Sequence, residues 1–404
     1  MTADRPVLSR LDVPQIARDV APILMLDRAE PFRPVGIGVT VFDVPGPSPS
    51  SKFHVALRGA VCIEYATYWD HDIGHLYDLE HIWVHLNAAG EVTSVEASFH
   101  GQRHDVDLTL QGKRPVVWCE AGKHAHFQNA AHRDAMAGAT QYMTAQKAGL
   151  GGVHLGNRFA DEFGAIGPYQ HRLARVFLGR LAFAPALGRG LPYDMADGPL
   201  CPWSALASFI PQRVQFLLAD MAANMPHFRA LFLDCGDTLV DEGTEIKRDD
   251  GSDVVIEAKL IDGAASMMDA LRDAGFRLCL VADGPRETFE NVLKPHGLWD
   301  HFEAHVISGD VGVRKPDQAM FTAAMQAMEL SPELAAQVPM IGNNLDRDIL
   351  GANRAGHPSL FFRWVDRRRT VPNGPEDTPT WHFTHMDQCL PLLTHLEIAL
   401  DQKV

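Results

Sequence analysis

From about residue 227 onward the chain alternates short apolar runs with helical ones, and this alternation limits the possible fold more than any other feature. The runs RALFLD, FRLCLVAD, EAHVISGD, VPMIGNN and SLFFRW are separated by ASMMDALRDAG, RETFENVLKPHG, DQAMFTAAMQAMEL and RDILGANRAG. Near-continuous apolar strands joined by helices predict a parallel sheet covered on both faces, a Rossmann-like α/β domain. Ligands of such sheets gather at the carboxyl ends of the strands, so strand exits are the first place to look for chemistry.

The first strand exits as LFLDCGDTLVDEG and places Asp234 at its tip. A carboxylate held there can attack phosphorus while backbone N–H groups and a metal neutralise the phosphate. The third strand leads into SGDVGVRKPDQAMF, where Lys315 precedes a helix start and is suited to pair with a phosphate or with the nucleophile. The fourth exits as IGNNLDRDILGANRAG, offering Asn343, Asn344, Asp346 and Asp348, oxygen donors of the kind Mg²⁺ prefers.

Together with LCLVADGPRE, these elements resemble the haloacid dehalogenase-like (HAD) phosphohydrolase superfamily in order and spacing over roughly residues 227 to 400. The resemblance implies that Asp234 is the nucleophile forming an aspartyl-phosphate and that Lys315 stabilises it. It further implies a Mg²⁺ site at Asp234, Gly236, Asn343 and Asp348, with phosphate contacts from Asp283 and Gly284. Three positions depart from the family pattern. Gly236 stands where the family has its acid/base aspartate, although Asp237 follows at once. Ala282 stands where it has Ser or Thr, which leaves the Gly284 N–H as the expected donor. Asn343 replaces the first acidic position of the metal element. A general acid contributes about 10²–10⁴ in rate, so its loss implies a slow phosphatase or a substrate with a good leaving group, such as an acyl phosphate. Between Asp234 and the second strand, EGTEIKRDDGSDVVIEAKL reads as a β-hairpin turning at DDGS, a minimal cap. So small a flap leaves the site open, and the N-terminal half is expected to serve as its lid.

The first half of the chain has a different character. Ten of the 20 histidines lie between His54 and His132, among alternating runs such as HIWVHL and EVTSVEASFH that read as strands. YATYWDHDIGHLYDLEHIWVHL concentrates Asp70, His71, Asp72, His75, Asp78, Glu80, His81 and His85. On a strand Asp78 and Glu80 share a face, and with His75 from a preceding loop they form a candidate divalent-metal site without selecting the metal. His81, His85, His104, His126 and His132 read instead as hydrogen-bonded core or surface groups. GHLYDLE (residues 74–80), EASFHG and RPVVWCEAGKHAHF resemble the necrosis- and ethylene-inducing protein family over about residues 50 to 130, although Leu76, Tyr77 and Leu79 depart from its signature. That resemblance implies a β-sandwich whose divalent cation is held by His75, Asp78 and Glu80, with Asp70 or Asp72 upstream. His100 and His124 are the candidate outer ligands or acid/base groups.

These readings predict a two-domain protein: a mostly-β sandwich with a helical annex over 1–200, a helical linker over 201–226 and the HAD-like domain over 227–404. With 36 basic and 51 acidic side chains the net charge is −15, which argues against nucleic acid or an anionic membrane as partner. Nowhere do about 18 apolar residues, the length a bilayer span needs, run without a charge or a Gly/Pro interruption. The first twenty residues carry Asp, Arg and Pro in place of an apolar signal core, and the six scattered cysteines read as buried thiols; both point to the cytoplasm. The expected function is a Mg²⁺-dependent phosphohydrolase acting on a phosphorylated substrate, joined to a metal-binding domain. The alternative is a catalytically weak HAD scaffold carrying a glycan-, lipid- or partner-binding β-sandwich. A third reading puts water activation at the N-terminal metal.

Overall fold

The computed structural model describes residues 5–155, 158–188 and 190–400. The chain divides into two compact units, Met1–Met225 and Pro226–Val404.

The N-terminal unit holds two mixed sheets. One is built from β1 (Ile23–Asp27), flanked by a strand at Arg114–Trp118 that runs parallel to it and one at Gly190–Asp194 that runs antiparallel. The larger sheet centres on β2 (Gly36–Phe42), β3 (Val61–His71), β4 (His75–Leu86) and β5 (Val92–Phe99), consecutive antiparallel neighbours whose register pairs Thr67 with Glu80 and Trp69 with Asp78. Period-two alternation explains its two faces. Ile63, Tyr65 and Trp69 join Leu24 and Val117 of the smaller sheet in one apolar cluster, whereas Ala66 and Tyr68 pack in another with Leu206, Phe209 and Ile210. These last three belong to α1 (Trp203–Asn224). Residues 201–226, expected as a helical linker, are mostly helix, and the apolar side of that helix is buried against the larger sheet. The helical annex expected within 1–200 is likewise part of the unit, since the strands Gly190–Asp194 and Leu200–Pro202 lie in the two sheets.

The C-terminal unit is a six-stranded parallel sheet. Its strands in chain order are β6 (Leu231–Leu233), β7 (Leu278–Ala282), β8 (Ala304–Ile307), β9 (Met340–Gly342), β10 (Ser359–Phe362) and β11 (Trp381–Phe383). In space they run β8-β7-β6-β9-β10-β11, so β6 is central. β7 and β10 are buried at every position, as the apolar runs predicted. Helices such as α2 (Ala264–Asp273), α3 (Arg286–Leu293) and α4 (Gln318–Ala327) alternate with the strands, and separate apolar clusters occupy the two faces of the sheet. The sixth strand, β11, was not expected, being only three residues long and Pro/Gly-flanked upstream. The hairpin insertion forms as read, with Ile246–Lys247 paired to Val255–Glu257 and Gly251 at φ 78° in the turn.

Candidate active site at the strand exits

The order β7-β6-β9 fixes the site, because three strands that are distant in sequence end side by side. Asp234 follows β6, and its carboxylate accepts a hydrogen bond from Lys315 Nζ at 2.7 Å and one from Thr238 Oγ1 at 3.4 Å. Lys315 is 3% exposed. Its ammonium also donates to the Val281 carbonyl at 2.7 Å and lies 2.6 Å from Asp348 Oδ1. Burial works against this charge, but the carboxylates of Asp234, Asp348 and Asp283 outweigh burial and hold Lys315 protonated. Asp348 is held up relative to an ordinary carboxylate, first by burial and then by the Asp234 charge. Its Oδ2 accepts the Asn344 N–H at 3.0 Å. The backbone leaves it just enough room: a Cβ on Gly342 would fall 2.7 Å from Asp348 Cβ.

Asp234, Asp283, Lys315, Asn343 and Asp348 line one cavity of about 250 Å³. Three acidic groups share one buried lysine there, with Arg347 3.6 Å from Asp283. Asp348 Oδ1 is buried, with the Lys315 ammonium at 2.6 Å beside it. Among the described residues no group of three or more His, Cys, Asp or Glu side chains forms a metal-binding set. A cation at Asp234 and Asp348 would therefore complete its shell from the Gly236 carbonyl, the Asn343 amide and water. This all-oxygen donor set, short of positive charge, fits Mg²⁺.

Two expected phosphate contacts are otherwise engaged. The Gly284 N–H donates to Ser308 Oγ at 2.9 Å, and Asp283 Oδ1 accepts the Lys315 backbone N–H at 3.0 Å, which fixes the lysine loop. Asp237 does not replace the missing side chain of Gly236. It sits at φ 50° with 0% exposure, and its carboxylate accepts from Arg367 Nε at 3.1 Å and Nη2 at 2.7 Å. It does not line the cavity. Glu242 does, a residue the sequence reading placed only within the hairpin insertion. The transposed Gly-Asp pair at 236 and 237 signals a missing acid, but nothing local says which residue takes its place.

The N-terminal candidates meet in one cavity, and among the described residues no three or more of their His, Cys, Asp or Glu side chains are placed to hold a metal ion. His75, Asp78, Glu80 and His100 line a space of about 420 Å³ together with Asp72 and Lys123. His75 belongs to β4 and not to a loop, with its Nδ1 2.9 Å from the Tyr77 carbonyl. Each carboxylate has its own partner from the chain. Asp78 lies 3.1 Å from His124 Nδ1, Glu80 accepts from Ser98 Oγ, Asp72 pairs with Lys123, and Asp70 pairs with Arg213 Nη2 at 2.6 Å. His124 also lies 3.6 Å from Glu30 and stacks on Trp69 at 3.7 Å. Burial depresses His124, but hydrogen bonds and charges from Asp78 and Glu30 overcome it and bring it up to about 9. His124, Lys123 and Arg213 thus offset the charges of Asp78, Asp72 and Asp70, while Glu80, hydrogen-bonded to Ser98, is pushed up by burial and by the Asp78 charge. His100, expected to support a metal, pairs with Glu120 at 2.7 Å.

Comparison with known proteins agrees with the geometry of the C-terminal unit. Residues 210–356 match the family model described as haloacid dehalogenase-like hydrolase. A phosphoserine phosphatase of Thermus thermophilus is 36% identical over 116 residues, 29% of this chain and 44% of that protein. A glyceraldehyde 3-phosphate phosphatase of Methanopyrus kandleri is 32% identical over 126 residues, 31% of this chain and 53% of the relative. The chain thus spans about half the length of these curated relatives. The solved HAD phosphatase from Thermococcus onnurineus aligns at 22% identity with a TM-score of 0.30, over 34% of this chain and 59% of that one. The C-terminal unit carries a haloacid dehalogenase-like hydrolase domain.

Proposed function

We propose that the C-terminal unit hydrolyses a phosphate monoester through an aspartyl-phosphate on Asp234. The observation that carries this reading is the Asp234 carboxylate at the tip of the central strand, 13% exposed, facing the cavity and held by Lys315 at 2.7 Å. The hydrogen bond from Lys315 holds Oδ1 in place, which leaves Oδ2 as the oxygen to attack phosphorus. The Lys315 ammonium, already between Asp234 and Asp348, offsets negative charge as the phosphoryl group arrives. Asp234, Asp348, the Gly236 carbonyl and Asn343 would hold Mg²⁺, which when bound supplies further charge neutralisation on the phosphoryl oxygens. The activities of the relatives, on phosphoserine and glyceraldehyde 3-phosphate, point to a small polar phosphate monoester as substrate.

For the N-terminal unit we read the two sheets, which share an apolar cluster, as a sandwich that binds a ligand or partner at its 420 Å³ cavity. No helix among the described residues is long and apolar enough to cross a membrane. All six cysteines are buried free thiols, which supports a reducing, cytoplasmic setting. The test of the hydrolase reading is phosphate release by the full chain with Mg²⁺, wild type against Asp234→Asn. The substitution should abolish turnover, and equal rates would refute the reading.

A further inference from the structure

Transfer of phosphate from an alkyl ester leaves an alkoxide, which needs a proton as the P–O bond breaks. The acidic groups of the cavity differ in their freedom to give one. Asp234 is the nucleophile, Asp283 accepts the Lys315 backbone N–H, and Asp348 is bound by the Asn344 N–H and ion-paired with Lys315. Glu245 and Asp253, on the hairpin insertion, also line the cavity, whereas Asp237 lies outside it under Arg367. Glu242 stands apart from these. A Cβ built on Gly236 would collide with Glu242 Oε1 and fall 3.1 Å from its Cδ and 3.2 Å from its Cγ. The Glu242 carboxyl therefore fills the volume that a side chain at 236 would occupy, two residues beyond the nucleophile.

That placement is built rather than incidental. Asp241 caps the short turn Glu242–Thr244 by accepting the Gly243 N–H at 2.8 Å, and the Glu242 N–H donates to Asp237 Oδ1 at 3.1 Å. Oε2 is tied to Arg368, while Oε1, the atom over Gly236, takes no hydrogen bond among the described residues. The side chain is 31% exposed and lines the cavity.

From this we infer that Glu242 is the general acid–base of the site, supplying from another part of the chain the carboxyl group that Gly236 lacks. The inference rests on the phosphohydrolase reading. In the first half-reaction an Asp234 oxygen bonds to phosphorus, the ester P–O bond breaks, and the Glu242 carboxyl proton passes to the departing oxygen. In the second the Glu242 carboxylate takes a proton from water as the water oxygen bonds to phosphorus. The bond from Asp234 to phosphorus then breaks, releasing phosphate and restoring both side chains.

The experiment follows a single turnover of the full chain with Mg²⁺ on two probes, β-glycerophosphate with an alkyl leaving group and p-nitrophenyl phosphate with one that needs little protonation. Glu242→Gln should slow transfer from β-glycerophosphate by about 10²–10⁴-fold and leave the p-nitrophenolate burst within about threefold of wild type. The double variant Gly236→Asp with Glu242→Ala, which puts a carboxyl in the same space from the other side, should recover alkyl transfer relative to Glu242→Ala alone. Equal slowing on both probes, or none on the alkyl ester while Asp234→Asn abolishes turnover, would overturn the role of Glu242 and leave the hydrolase reading intact. No release from either probe by wild type, or no effect of Asp234→Asn, would overturn the hydrolase reading itself and this inference with it.

Discussion

Lys315 Nζ donates to Asp234 Oδ1 across 2.7 Å although 81 positions separate the two residues in the chain. Three carboxylates depend on that one buried ammonium. Lys315→Met should therefore cost about 3–5 kcal/mol of stability by leaving buried charge unpaired, and should abolish phosphate release. Urea unfolding of the variant, with and without Mg²⁺, checks this. The ion should restore more stability to the variant than it adds to wild type, because it replaces the missing positive charge.

Asp348 reaches its place only because residue 342 has no side chain. Gly342→Ala would put a Cβ 2.7 Å from Asp348 Cβ. The expected outcome is a loss of about 1–3 kcal/mol from overpacking, together with a higher Mg²⁺ requirement for phosphate release. A melting curve and a Mg²⁺ titration of activity measure the two effects.

Asp237 is expected to be structural. Asn tolerates its φ of 50°, and Arg367 keeps its pairing with Asp241. Asp237→Asn should lower stability while changing the kcat of phosphate release by no more than about twofold, far below the 10²–10⁴ of a lost general acid. Steady-state rates over pH, compared with those of Glu242→Gln, separate a support residue from an acid.

The N-terminal unit should be most stable near neutral pH. His124 is held up to about 9 in the folded state, so its contribution is complete below its unfolded value near 6.5 and is lost as pH rises through about 9. That loss is on the order of 3 kcal/mol. His71 and His126 are pushed down by burial to about 4 and about 3, so their neutral forms favour folding above 6.5 and disfavour it as pH falls. Trp69, stacked on His124 at 3.7 Å, provides the signal. Unfolding followed by tryptophan fluorescence should show both limbs, and His124→Gln should remove the alkaline one.

The parallel sheet was legible because both-face burial demands near-continuous apolar strands, and such runs are visible in a linear text. The exits of those strands were legible with it, so Asp234, Lys315 and Asp348 could be named without coordinates. Charge balance was a different matter. GHLYDLE places acidic and imidazole groups close together, but the sequence does not show that His124, Lys123 and Arg213 arrive from elsewhere to neutralise Asp78, Asp72 and Asp70. A metal was the natural inference from local composition, whereas the tertiary structure supplies Asp78, Asp72 and Asp70 with partners from the chain itself. Asp237 and Glu242 follow the same division. Adjacency in sequence favoured Asp237 as the substitute acid, while the backbone turned it at positive φ under Arg367 and brought Glu242 over Gly236. Periodicity is a local property that each segment carries alone, whereas the state of a charged group depends on everything that folding brings within a few ångströms of it.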